Sequence, residues 1–123
     1  MKLHYIELLG EQHPLCFSMT AAQNLSEKFG SIEEMGNQLI CDDVSTRRAA
    51  INDALGELLR AGRAYAKAKG DDLPKELTCE VADVIGPETI QPITLILSVL
   101  RGDSAREITT EDTGKNGEAT PRG

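Results

Sequence analysis

Apolar positions recur along this chain with two different periods, and the change of period divides it. Near the N-terminus Leu15, Phe17 and Met19 alternate with Cys16 and Ser18, the period of a half-buried strand. The run from Lys2 to Leu9 precedes it, and the turn formers Gly10-Glu11-Gln12-His13-Pro14 lie between the two. This arrangement predicts a β-hairpin. An isolated hairpin is marginal in water, so its apolar face must pack on the next part of the chain.

Helical spacing begins at once. Thr20-Ala21-Ala22-Gln23 has the form of a capping box, Leu25 and Phe29 lie one turn apart, and Gly30 is a stop. Ser31-Ile32-Glu33-Glu34 starts a second short helix through Ile32, Met35, Leu39 and Ile40. From about Val44 to Lys69, Ile51, Ala54, Leu55, Leu58, Leu59, Gly62, Tyr65 and Ala66 form one stripe at spacings of three and four. Gly70-Asp71-Asp72-Leu73-Pro74 ends that helix. A further helix is predicted from Lys75 to Ile85, with Leu77, Val81, Val84 and Ile85 inward, broken by Gly86-Pro87. A last one carries Ile90, Ile93, Ile96, Leu97 and Leu100, with Pro92 tolerated in its first turn. Beyond Gly102 the only large aliphatic is Ile108, too little apolar surface to offset chain entropy. The prediction is an α+β chain: an N-terminal β-hairpin and four to five helices in one domain over 1–102, then a disordered polar tail over 103–123.

Composition narrows what such a domain does. Aromatics are 3% of the 123 residues and Trp is absent, so the core is aliphatic, which suits helices. A net charge of −7 repels phosphate backbones and anionic membrane surfaces, so neither nucleic acid nor membrane is an expected partner. A basic protein partner suits it better. Cys16, Cys41 and Cys79 are odd in number and form no CxxC pair, so buried free thiols in a reducing cytosol are expected. Met1 to Gly10 contains Glu7 and no long apolar run, so no secretory leader is expected. The stretch from Ile93 to Leu100 is too short to span a bilayer.

Candidate chemistry is sparse. His4 and His13 have no neighbouring ligand and read as surface or turn histidines. Asp42-Asp43 and Asp71-Asp72 sit at helix boundaries, where Asp caps and turns, and Glu33-Glu34 lies in a first turn. Arg47-Arg48, the basic pair near a helix start, could meet an acidic partner but reads more simply as a solvated face. Gly56 and Gly62 each cost about 1 kcal/mol against Ala inside the long helix, and either admits a close neighbour or is neutral. No catalytic, metal or cofactor residue stands out, no cofactor is expected, and no partner-contacting residue can be singled out. The expectation is a binding protein, not an enzyme.

The wording of several segments resembles a known family. Lys2-Leu3-His4-Tyr5-Ile6-Glu7-Leu8-Leu9-Gly10, Pro14-Leu15-Cys16-Phe17-Ser18, Ala21-Ala22 and Lys28-Phe29-Gly30-Ser31 are similar to the start of tail assembly chaperones from siphophages and prophages of Gram-positive bacteria. So are Leu58-Leu59-Arg60-Ala61-Gly62-Arg63-Ala64-Tyr65-Ala66, Lys115-Asn116 and Ala119-Thr120. The resemblance implies a non-enzymatic protein of the host cytoplasm that binds the tape measure protein before the tail tube polymerises and is absent from the mature virion. It also implies a second, longer form made by ribosomal slippage, which recruits the major tail tube protein. Gly114-Lys115-Asn116, whose codons can form an A-rich run, suits such a slip. Self-association is left open. The alternatives are another phage or prophage interaction protein, such as a tail or head–tail completion component, and a small ligand-binding domain or enzyme.

Overall fold

In the computed structural model, which describes residues 1–88 and 90–109 with side chains through Arg101, an antiparallel hairpin opens the chain. Strand β1 (His4–Leu8) pairs with β2 (Glu11–Leu15) in the register His4–Leu15, Ile6–His13, Leu8–Glu11. Leu9 and Gly10 form the turn, with φ of 53° and 80°. Two positive φ values in a two-residue loop are the mark of a type I′ turn, whose twist matches the strands.

The hairpin was predicted, but its register was not. The predicted turn, Gly10 to Pro14, supplies β2 instead, and the predicted strand Leu15 to Met19 is mostly the exit from it. A tight turn at Leu9-Gly10 leaves Glu11-Gln12-His13 to pair with β1 despite their polarity. Leu15 and Cys16 are both buried, and Met19 is 89% exposed. Consecutive burial breaks the expected alternation because a helix covers the far edge of β2 as well as one face.

Helices α1 (Met19–Phe29), α2 (Ile32–Leu39), α3 (Val44–Lys69) and α4 (Ile90–Thr109) come next. Each of the first three starts on a side-chain cap. Ser18 accepts from the Ala21 amide at 3.1 Å, Ser31 from Glu34 at 2.9 Å and Asp43 from Thr46 at 2.9 Å. The first cap is Ser18, two residues before the predicted Thr20. Gly30 and Gly70, both at positive φ, close α1 and α3. The Asp71 amide reaches back to the Ala66 carbonyl at 3.0 Å.

Helix α3 is the axis of the core. Its buried stripe, Ile51, Ala54, Leu55, Leu58 and Leu59, meets Leu8, Leu15, Leu25, Met35, Leu39, Val81, Ile96 and Val99. Ala50 and Ala61 widen that stripe, and Ile40, predicted as part of the second helix, is its C-cap and 67% exposed. Among the described residues of α4, Pro92, Ile96 and Val99 are buried, while Ile90 and Leu97 turn outward.

The predicted helix from Lys75 to Ile85 is absent. That segment runs extended and holds one 3-10 turn, η1 (Val81–Asp83). Polar groups of α3 draw it out. Arg63 donates to the Pro74 carbonyl at 2.8 Å, Arg48 pairs with Glu80 at 2.8 Å, and the Asn52 side chain accepts from the Ala82 amide at 2.9 Å. A helix starting at Lys75 could not present Pro74, Glu80 and Ala82 along α3 at once, since 1.5 Å of rise per residue is too short to track it.

The predicted start of the tail, after Gly102, falls inside α4, which continues to Thr109. The rest of that predicted segment, with Gly114-Lys115-Asn116, lies outside the described residues. No described helix is long and apolar enough to cross a membrane.

Candidate interaction groove

The segment after η1 shapes a largely apolar cleft. Val81 is buried against α3, and the Asn52–Ala82 bond fixes the turn that carries it. Val84 and Ile85 then pack, partly buried, against the core, and the chain departs at Gly86-Pro87 and enters α4. Because it departs there, a cleft of about 380 Å3 remains between the first turns of α3 and the start of α4. Val44, Ile51, Ala82, Ile85, Pro87 and Pro92 form its apolar walls, and Arg47, Arg48 and Glu88 its polar rim. Val44 is 68% exposed at the mouth.

A second groove, of about 450 Å3, lies on the other side of the same loop. Here Val84, Ile85, Pro92 and Leu95 face Tyr5, Ile6 and Glu7 of β1. Its charged lining residues are Glu7 and Glu88. A third hollow, near Asn24, Lys28, Asp53 and Gly56, is smaller and polar.

The two rim arginines are engaged within the chain. Arg47 donates to the Cys41 carbonyl at 2.8 Å, tying the end of α2 to the start of α3. The hydrogen bond and charge of Glu80 raise the pKa of Arg48 further. Arg47-Arg48 is therefore more than a solvated face: its members hold the joints that shape the first cleft. The exposed Arg48–Glu80 pair adds little stability of its own.

The other candidates are dispersed. His13 is buried, 3% exposed, in β2, not on the surface or in the turn as predicted, because the shifted register turns it inward opposite Ile6. His4 is half-buried on the same face. Asp43 caps α3, and hydrogen bonds from the Thr46 hydroxyl and amide lower its pKa. Asp71 lies just past the end of α3 and pairs with Lys69 at 3.3 Å. Of the three free thiols only Cys16 is buried; Cys41 is partly exposed and Cys79 exposed, against the prediction that all are buried. Among the described residues no group of three His, Cys, Asp or Glu converges on one point.

Neither groove was foreseen. Ile85, Gly86, Pro87 and Pro92 carried only the signals of a helix break and restart, which say nothing of what the break uncovers. Compared with protein-family models, with curated proteins and with solved structures, the chain matches none.

Proposed function

We propose that this chain is a phage tail assembly chaperone, a non-enzymatic protein that binds the tape measure protein before the tail tube forms around it. The observation that carries this reading is the open apolar cleft between α3 and α4, together with the resemblance of the N-terminal and α3 segments to that family. An amphipathic helix can lay its apolar face into such a cleft. A long chain of such helices would aggregate if left bare. The cleft offers only a few apolar side chains, each worth about 1.5–3 kcal/mol when fully buried, and association itself is costly. Binding of that strength is reversible, as a chaperone displaced by the growing tube requires. On this reading the protein acts in the host cytoplasm, is absent from the virion, and reaches the major tail tube protein through a longer form.

The test is co-expression of the full chain with a tape measure protein from the same gene cluster. The tape measure should move from the insoluble to the soluble fraction and co-purify with the chain. Equal solubility with and without the chain would sink the reading. Recovery of the chain in purified virions would favour a structural tail or completion component instead.

A further inference from the structure

Neighbouring pairs of an antiparallel ladder alternate between those that exchange hydrogen bonds and those that do not. Pro14 has no N–H, so Tyr5–Pro14 cannot be an exchanging pair. Glu7–Gln12, two residues along, belongs to the same class. The backbone groups of Tyr5 and Glu7 therefore point away from β2, toward the free edge of β1. By the same parity the Pro14 carbonyl and the Cys16 amide point away from β1, and both meet α3. Cys16 donates to the Leu58 carbonyl at 3.2 Å, and the Pro14 carbonyl lies against Gly62. One edge of the sheet is thus sealed by a helix. At the other, among the described residues, no backbone group of another element bonds to Tyr5 or Glu7.

That open edge borders the second groove. Tyr5, Ile6 and Glu7 line it consecutively. Successive residues of a strand point to opposite faces, so three in a row line a groove only if the strand presents its edge. Its volume of about 450 Å3 falls within the range of ligand pockets. One wall is apolar, and the ionisable lining groups are acidic.

We infer that the free edge of β1 and the groove beside it bind an extended segment of a partner protein as a third strand, with apolar residues on one face and lysine or arginine on the other. Main-chain bonds to Tyr5 and Glu7 supply affinity, and alternate side chains supply selectivity. The apolar face meets Ile6, Ile85 and Leu95, and the basic face meets Glu7. Charge disfavours a second copy of this chain as the occupant, since each copy carries −7.

The probe is a capped peptide of about seven residues alternating valine and lysine, added to the full chain while amide exchange is followed by NMR. The Tyr5 and Glu7 amides should become protected. Methylating the peptide's edge-facing nitrogens, or replacing lysine by glutamate, should weaken binding at least about tenfold, the loss of roughly one good hydrogen bond or charge contact. Equal affinity for the methylated peptide, unchanged exchange at Tyr5 and Glu7, or no binding up to about 1 mM would overturn the inference. Protection that appears without peptide and fades on dilution would assign the edge to self-pairing and overturn it too. This result is read on two amides and the co-expression result on tape measure solubility, so either stands without the other.

Discussion

The carbonyl of Pro14 occupies the space where a side chain at Gly62 would have to lie. A Cβ built at Gly62 would also come within 2.6 Å of the Leu15 amide nitrogen. Both obstacles are backbone and cannot rotate aside. Gly62→Ala should therefore destabilise the fold by about 2–3 kcal/mol, overpacking outweighing the gain in helix propensity. Gly56 has nothing within 4 Å of the same added atom, so Gly56→Ala should stabilise by about 1 kcal/mol. Urea unfolding of the two variants checks the opposite signs.

Leu9 adopts φ 53° with its side chain 74% exposed. The left-handed region costs an ordinary L-residue about 1–2 kcal/mol, and asparagine less. Leu9→Asn should raise the unfolding free energy by about 0.5–1 kcal/mol, read as a higher urea midpoint. An unchanged or lower midpoint would show that the exposed leucine packs on something in solution.

The thiols should separate by reactivity. Burial, the dominant influence, raises the pKa of Cys16, which is fully enclosed. Cys79 is exposed and Cys41 partly so. With an aromatic disulfide reagent Cys79 should react first and Cys41 next, while Cys16 should wait for unfolding. Early modification of Cys16, located by peptide mass, would contradict the seal between β2 and α3.

Glu57 should give the fold part of its acid sensitivity. Burial opposes its ionisation, but hydrogen bonds from Arg60 at 2.6 Å and Asn24 at 2.9 Å outweigh this and lower its pKa. A carboxylate whose pKa is lower folded than unfolded stabilises fully above the unfolded value and loses that contribution as pH falls through the folded one. Glu57→Gln should therefore cost stability near neutral pH and converge with the parent as pH falls below the range in which an ordinary glutamate titrates. A constant gap at every pH would show that the contact acts by packing alone.

Val44 offers a test of the first cleft that spares the core. It is the first residue of α3 and 68% exposed, so Val44→Glu suits the helix dipole and should leave stability unchanged. If a tape measure helix docks in the cleft, the new charge should weaken that binding about tenfold, the equivalent of one lost apolar contact. Unaltered co-purification of the tape measure would move its docking site elsewhere.

Much of this fold was legible because much of it is local. Ser31, Asp43, Gly30 and Gly70 do their work within four residues, and α3 runs over the residues its period predicts. A cap or a turn of helix needs only its immediate neighbours, so the sequence by itself determined that helices start and stop there and that a hairpin precedes them. Tertiary structure decided the rest. The hairpin register depends on β2 lying against Gly62 and Leu58, on a helix far along the chain. The unravelled stretch before η1 depends on Arg48, Asn52 and Arg63, whose partners lie 32, 30 and 11 residues off. The grooves are the space left when that stretch departs from α3 and the edge of β1 goes uncovered. Spaces and edges are made by pairs of distant segments, and one sequence read along its length holds the segments but not their pairing.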